Sequence, residues 1–168
     1  MSDQEKSDSA KGTKDTPRRS GPSMSDKRRK ARRLVLQALY QWQVAESSIS
    51  QVEAEFLVDN DFEKVDKDYF RELLRGVATD VRQLDEVLVP LLDRKVEDMD
   101  PIELAISRMG AYELRSRIDV PYRVVINEAI ELAKKFGGTD GHKFVNGILD
   151  RLAPQFRQIE IDAAKNSR

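Results

Sequence analysis

Cysteine is missing from all 168 residues, and histidine and tryptophan occur once each. Without a thiol the chain has no disulfide scaffold, no cysteine zinc finger, no thiolate-held iron–sulfur cluster and no thiolate nucleophile. One imidazole cannot build a multi-histidine metal centre. Long apolar runs are lacking too. The longest, from Val87 to Leu92, is broken by Pro90 and falls far short of the roughly 20 residues that span a bilayer. Aromatics make up 7% of the chain, and no apolar stretch follows the early charges as in a secretory leader. The expected compartment is the cytoplasm. Charge of one sign is also lacking in total, since 29 Lys and Arg nearly cancel 30 Asp and Glu.

That cancellation hides an asymmetry. Residues 1–33 carry eleven basic and five acidic residues, a net of +6, which leaves −7 for the remainder. Between Lys27 and Arg33 only Ala31 is uncharged. Such a cluster is an electrostatic footprint for phosphate. The acidic remainder suits a basic protein partner. Residues 1–25 hold Ser, Lys, Gly, Asp and Pro with hardly a bulky apolar side chain, so they are predicted to be a disordered tail. The folded domain is predicted over residues 26–157, with a second tail over 158–168.

Within that domain the apolar residues keep helical spacing. Ala31, Leu34, Val35, Ala38, Leu39 and Trp42 fall on one face. Further helices are predicted over about 50–59, 66–78 and 81–94, with Pro90 kinking the last of these or marking its end. Asp100-Pro101-Ile102-Glu103 is a strong start signal, an N-cap acid followed by proline at the first helical position. Val120-Pro121 opens a sixth helix and Gly137-Gly138 closes it. Asp140 is a candidate N-cap for a seventh, whose last turns Pro154 should perturb. No segment alternates with period two. The predicted fold is all-α, about seven helices, with a group over 26–94 against a group over 100–157.

Catalytic groups do not assemble from this sequence. His142 has no orienting partner in view and reads as a surface side chain in a helix first turn. Glu128 and Glu131 form an i,i+3 carboxylate pair, better read as surface acids than as a site for a hard cation. The glycine-rich Gly137–Gly141 stretch lacks the Gly-Lys-Ser/Thr ending of a P-loop and reads as a turn between helices. No enzymatic activity, metal or cofactor is predicted.

The basic run carries more. On a helical wheel Arg29, Arg33 and Tyr40 lie opposite the apolar stripe. A cation–aromatic face of this kind can pair phosphates with guanidinium forks and stack unpaired bases. A solvated charge run is the alternative, and Tyr40 could instead pack between sub-bundles. Lys143 and Phe144 offer a second contact at the start of the seventh helix, with core packing as the alternative for Phe144.

Several motifs now resemble one family. Ala31-Arg32 precedes Gln37-Ala38-Leu39-Tyr40-Gln41-Trp42-Gln43, then come Tyr69-Phe70-Arg71-Glu72-Leu73-Leu74 and Gly76-Val77-Ala78-Thr79. Asp119-Val120-Pro121-Tyr122 leads into Ile126-Asn127-Glu128-Ala129-Ile130-Glu131-Leu132-Ala133-Lys134, and Lys143-Phe144-Val145-Asn146-Gly147-Ile148-Leu149-Asp150 comes after it. In this order they resemble the NusB family of transcription antitermination factors over about residues 27–157.

The resemblance implies two packed three-helix groups and binding to the boxA element of nascent, especially ribosomal, RNA. It implies a heterodimer with NusE, a small-subunit ribosomal protein, that joins RNA polymerase and other Nus factors to prevent premature termination. It assigns RNA contacts to Arg28, Arg29, Lys30, Arg32 and Arg33, and to Asp140, Lys143 and Phe144, and it places Glu103 on the NusE side. The long Ser/Lys-rich segment before Met24 departs from the family pattern, as does Lys30 where arginine is common. A protein-only adaptor, whose basic segment binds an acidic partner, is the alternative function. NusB-like bundles also occur fused to ribosomal RNA methyltransferase domains, but no glycine-rich strand–loop–helix unit for a methyl donor is present here.

Overall fold

The structure, a computed structural model, describes residues 21–167. Residues 1–20 of the tail predicted over 1–25 lie outside the described residues, whereas Met24 and Ser25 belong to the first helix. Among the described residues seven α-helices occur in order: α1 (Met24–Ala45), α2 (Ile49–Asp59), α3 (Lys67–Thr79), α4 (Val81–Leu88), α5 (Pro101–Ser116), α6 (Tyr122–Phe136) and α7 (Gly141–Asn166). Two short 3₁₀ turns, Val89–Leu91 and Val96–Asp98, link α4 to α5. Among the described residues no strand occurs.

Local chemistry explains most of the boundaries. Ser23 and Asp26 close a reciprocal capping box on α1, two residues earlier than the sequence pattern suggested. Asp100 caps α5 as predicted, accepting from the N–H groups of Ile102 and Glu103 at 2.8 and 3.1 Å. Pro90 ends regular helix in α4, and the chain tightens into a 3₁₀ turn there. Asp140, by contrast, does not cap α7. It sits in the left-handed region at φ 65°, and its side chain makes no capping bond.

Helices α1–α3 pack together, α6 and α7 pack together, and α5 touches both groups. Eleven consecutive residues of α5, Leu104–Leu114, are buried. Backbones approach closely around it. A Cβ on Gly110 would come within 2.7 Å of the Leu149 side chain on α7, and one on Gly141 within 2.7 Å of Glu103.

The predicted C-terminal tail is a correction. Helix α7 continues past Pro154 to Asn166. Proline removes one backbone donor and kinks a helix, and the chain does depart from helical geometry at Arg157 (φ −129°, ψ 26°). The buried Arg157 guanidinium then donates to the carbonyls of Leu114, Glu113 and Arg117, the last turn of α5, at 2.7, 3.1 and 2.8 Å. Glu160 accepts from the Tyr122 N–H at the start of α6 and pairs with Arg157. These bonds satisfy two helix ends at once and hold the extension in place.

Candidate nucleic-acid interface

The basic segment divides by depth. Arg32 is 4% exposed and forms a bidentate pair with Glu113 of α5, with Nε and Nη2 at 2.9 and 2.8 Å. Tyr69 donates its hydroxyl to the same carboxylate. Burial and the Glu113 charge push the Tyr69 phenol well above its ordinary value, so it remains a neutral donor. Arg32 was expected to meet phosphate. Its place under α5 makes it a structural residue instead, because exposing its guanidinium would strand Glu113 as an unpaired buried charge.

Arg28 is also engaged. It lies over the Tyr69 ring at 4.7 Å, beside Arg117 at 4.8 Å and Arg32 at 5.2 Å, and approaches Asp66 and Asp119 at 3.6 and 3.9 Å. Three guanidinium groups therefore surround one aromatic ring. The Asp119 carboxyl is held down to about 2 by its hydrogen bond from Arg117, against the opposing effect of burial.

Arg29 points outward, with its side chain 54% exposed, and its Nε lies 3.2 Å from Glu128 on α6. Glu128 also reaches Arg32 at 3.8 Å and is only 13% exposed. The expectation that Glu128 and Glu131 form a surface acid pair therefore gives way for Glu128, which bridges α1 and α6. Lys30 and Arg33 make no ion pair among the described residues. Arg33 shares a concavity of about 510 Å³ with Arg29, Glu128, Glu131, Lys134 and Lys135. Tyr40 is exposed on α1, about 10 Å beyond Arg33 by helical rise, and does not line that bay.

At the start of α7, Phe144 is half-buried against the core and also faces Arg94, whose guanidinium lies 5.2 Å from the ring centre. A hollow of about 430 Å³ beside it is lined by Leu91, Asp93, Lys143 and Arg151 among others. Lys143 approaches Asp140 at 3.4 Å, both exposed. Glu103 packs against Gly141 on the other side of this turn. Burial first, then Asp100, raises the Glu103 carboxyl, while Arg94 and the Gly138 backbone oppose the shift. Asp140, Lys143 and Phe144, assigned to RNA by the family resemblance, and Glu103, assigned by it to the NusE side, thus gather around one loop.

Sequence reasoning missed Arg94, Lys134 and Lys135. Arg94 is fifty residues from the ring it covers, which no local pattern reveals. The lysines did carry a signal, since the last turn of α6 holds two adjacent cations before Gly137-Gly138.

A larger concavity lies elsewhere. A groove of about 1000 Å³ runs between the end of α1, α4 and the start of α5. Trp42, Val89, Met99 and Leu104 give it apolar surface, and Glu46, Asp85, Glu86 and Glu97 outnumber Arg82 and Arg108 along it. Arg108 closes its base, donating to Asp85 and Gln43.

A cation-lined bay, a hollow of mixed charge beside Phe144 and a groove with an excess of acids, on an all-helical frame, define a helical binding protein. The NusB family model matches residues 29–154, and the chain belongs to the NusB family. It is 66% identical over 143 residues to the transcription antitermination protein NusB of Hahella chejuensis, covering 85% of this chain and 96% of that protein. Against the protein of the same name from Pseudomonas fluorescens it is 58% identical over 144 residues, covering 86% and 87%. Among solved structures, T. maritima NusB superposes with a TM-score of 0.66 at 32% identity, covering 74% of this chain and 89% of that one. A crystal structure of antitermination factors NusB and NusE with dsRNA shares the fold at a TM-score of 0.62 and 20% identity, covering 76% and 96%.

Proposed function

We propose that this chain is a non-enzymatic, cytoplasmic antitermination factor that binds boxA of nascent ribosomal RNA together with NusE and supports passage of RNA polymerase through terminators. The observation that carries the reading is the outward basic face of α1, with Arg29 exposed and Arg33 partly exposed in a surface concavity while Arg32 is retained inside. The relatives named as antitermination proteins support it, as does the NusB–NusE–dsRNA structure of the same fold.

Arg29, Lys30 and Arg33 supply the salt-dependent contacts to phosphate, with Arg28 at the edge of the same face. Lys143 adds a phosphate contact at α7. Phe144 and Tyr40 offer ring faces to unpaired bases, and Asp140 offers acceptors to base edges. Glu103 and the acidic groove beside the start of α5 take the basic protein partner, NusE, by charge complementarity. The folded unit for this work spans 23–166, wider than the sequence pattern suggested at both ends.

A gel-shift titration with boxA RNA, with and without NusE, tests the reading. Preferential boxA binding that tightens with NusE is the expected result. Equal indifference to boxA and scrambled RNA under both conditions would sink it and favour the protein-only adaptor.

A further inference from the structure

The two RNA-facing regions proposed above, the outer face of α1 and the start of α7, are separate patches. The bay formed by α1 and the end of α6 adjoins the first of them, since Arg29 and Arg33 line it. Its walls carry four cations, Arg29 and Arg33 from α1 and Lys134 and Lys135 from α6. In the chain, Lys134 and Lys135 immediately precede the Gly137-Gly138 turn that leads to Asp140, Lys143 and Phe144.

We propose that this bay is a backbone-phosphate subsite in which Lys134 and Lys135 carry the RNA strand from the α1 face to the start of α7. The proposal rests on the RNA-binding reading and deepens it.

Two carboxylates line the bay, and their placement decides its sign. Glu128 is largely buried and already neutralised by Arg29 at 3.2 Å and Arg32 at 3.8 Å. Glu131 is exposed and reaches Lys134 only at 3.9 Å. Arg33 and Lys135 have no ion pair among the described residues. Four cations, with Arg32 behind them, thus outnumber two acids, and a divalent cation would be repelled. The C-terminal end of α6 presents carbonyls rather than N–H groups. Recognition there falls to the lysine and arginine side chains, which bind phosphate regardless of base. The subsite should therefore add affinity and salt dependence without adding sequence preference.

The full chain with Lys134→Ala and Lys135→Ala together provides the test, alongside Lys64→Ala as an exposed control on the loop between α2 and α3. Single-stranded RNA carrying boxA, and a scrambled RNA of equal length, are titrated over a range of salt. Both lysines are exposed, and circular dichroism checks that the helices persist. The expected result is about a tenfold loss of affinity for both RNAs at low salt. The slope of log affinity against log salt should flatten by roughly 1 to 1.4, about 0.7 for each phosphate no longer neutralised. The Lys134→Arg, Lys135→Arg pair should restore both. Wild-type affinity and slope in the double alanine variant would overturn the subsite while leaving the RNA reading intact. Failure of the unaltered chain to bind either RNA would instead overturn the reading beneath it. Because the chain has no cysteine, Lys135→Cys also creates a unique attachment point for a photo-crosslinker. RNA captured there supports the subsite, and capture no greater than at a Lys64→Cys control overturns it.

Discussion

Arg32 and Glu113, 81 residues apart in sequence, form a bidentate ion pair at the centre of the molecule, and each is less than 5% exposed. The pair joins the basic helix α1 to the buried helix α5, and Tyr69 adds α3 to the junction. A basic segment that looks uniform in sequence is thus divided between holding the fold and facing solvent.

Arg32→Ala should destabilise the protein by about 3–5 kcal/mol, the cost of leaving one partner of a buried pair uncompensated. Urea unfolding measures this. RNA affinity of the molecules that remain folded, and its salt slope, should stay near wild type. A large change in slope with unaltered stability would contradict the structural role.

Arg33→Ala should do the opposite. It leaves stability within about 0.5 kcal/mol, as surface changes usually do, and flattens the salt slope of single-stranded RNA binding by roughly 0.7. Fluorescence anisotropy at several ionic strengths reads this directly.

Phe144 has two duties to separate, because it both packs on the core and faces Arg94. Phe144→Leu keeps much of the packing and removes the aromatic face. It should lower boxA affinity by about 1–3 kcal/mol, the scale of one base stack, with only a small shift in melting temperature. Equal affinity of Phe144→Leu and wild type would assign the ring to packing alone.

Asp119 remains ionised in the folded protein down to about pH 2, against an ordinary value of 3.8. Its pairing with Arg117 therefore contributes in full above about pH 4 and is lost as pH falls toward 2. The side chain is 55% exposed, so solvent screens the effect. Asp119→Asn should make the acid limb of a stability-against-pH curve slightly shallower, and an unchanged limb would show the pair to be inert.

Arg157→Met should lower the melting temperature markedly, because three carbonyls at the end of α5 lose their donor. Hydrogen bonds from a charged group contribute about 1.5–3 kcal/mol each, net of the exchange with water. Truncation after residue 156 should be at least as damaging, since it also removes Glu160. A truncated protein with wild-type melting would restore the view of these residues as a tail.

The features legible in the sequence were local. Apolar spacing placed the seven helices, and Asp100-Pro101 fixed the start of α5, because caps and amphipathic faces are written in adjacent residues. The wheel also put Arg29, Arg33 and Tyr40 on the outer side of α1. Pairing across the fold was not legible. Nothing near Arg32 says that Glu113 waits beneath it, and Glu128 looked like a surface acid because its two arginine partners lie on another helix. Pro154 misled for a related reason. A proline alone signals an end, whereas Arg157 and Glu160 anchor the remaining turns of α7 to α5 and α6. Asp140 has the residue type of a cap and the backbone of a turn, which only dihedral angles distinguish.

The central position of α5 has one more consequence. Eleven residues in succession are enclosed by the helices around them, so no partial opening of one neighbour uncovers the hydrogen bonds of its middle turns. Their amide protons should exchange with deuterated solvent only when the whole molecule unfolds, while those of α2 and the end of α7 exchange through smaller fluctuations. Exchange at Met109, Gly110 and Ala111 would then report the global free energy of unfolding under native conditions, with no denaturant added.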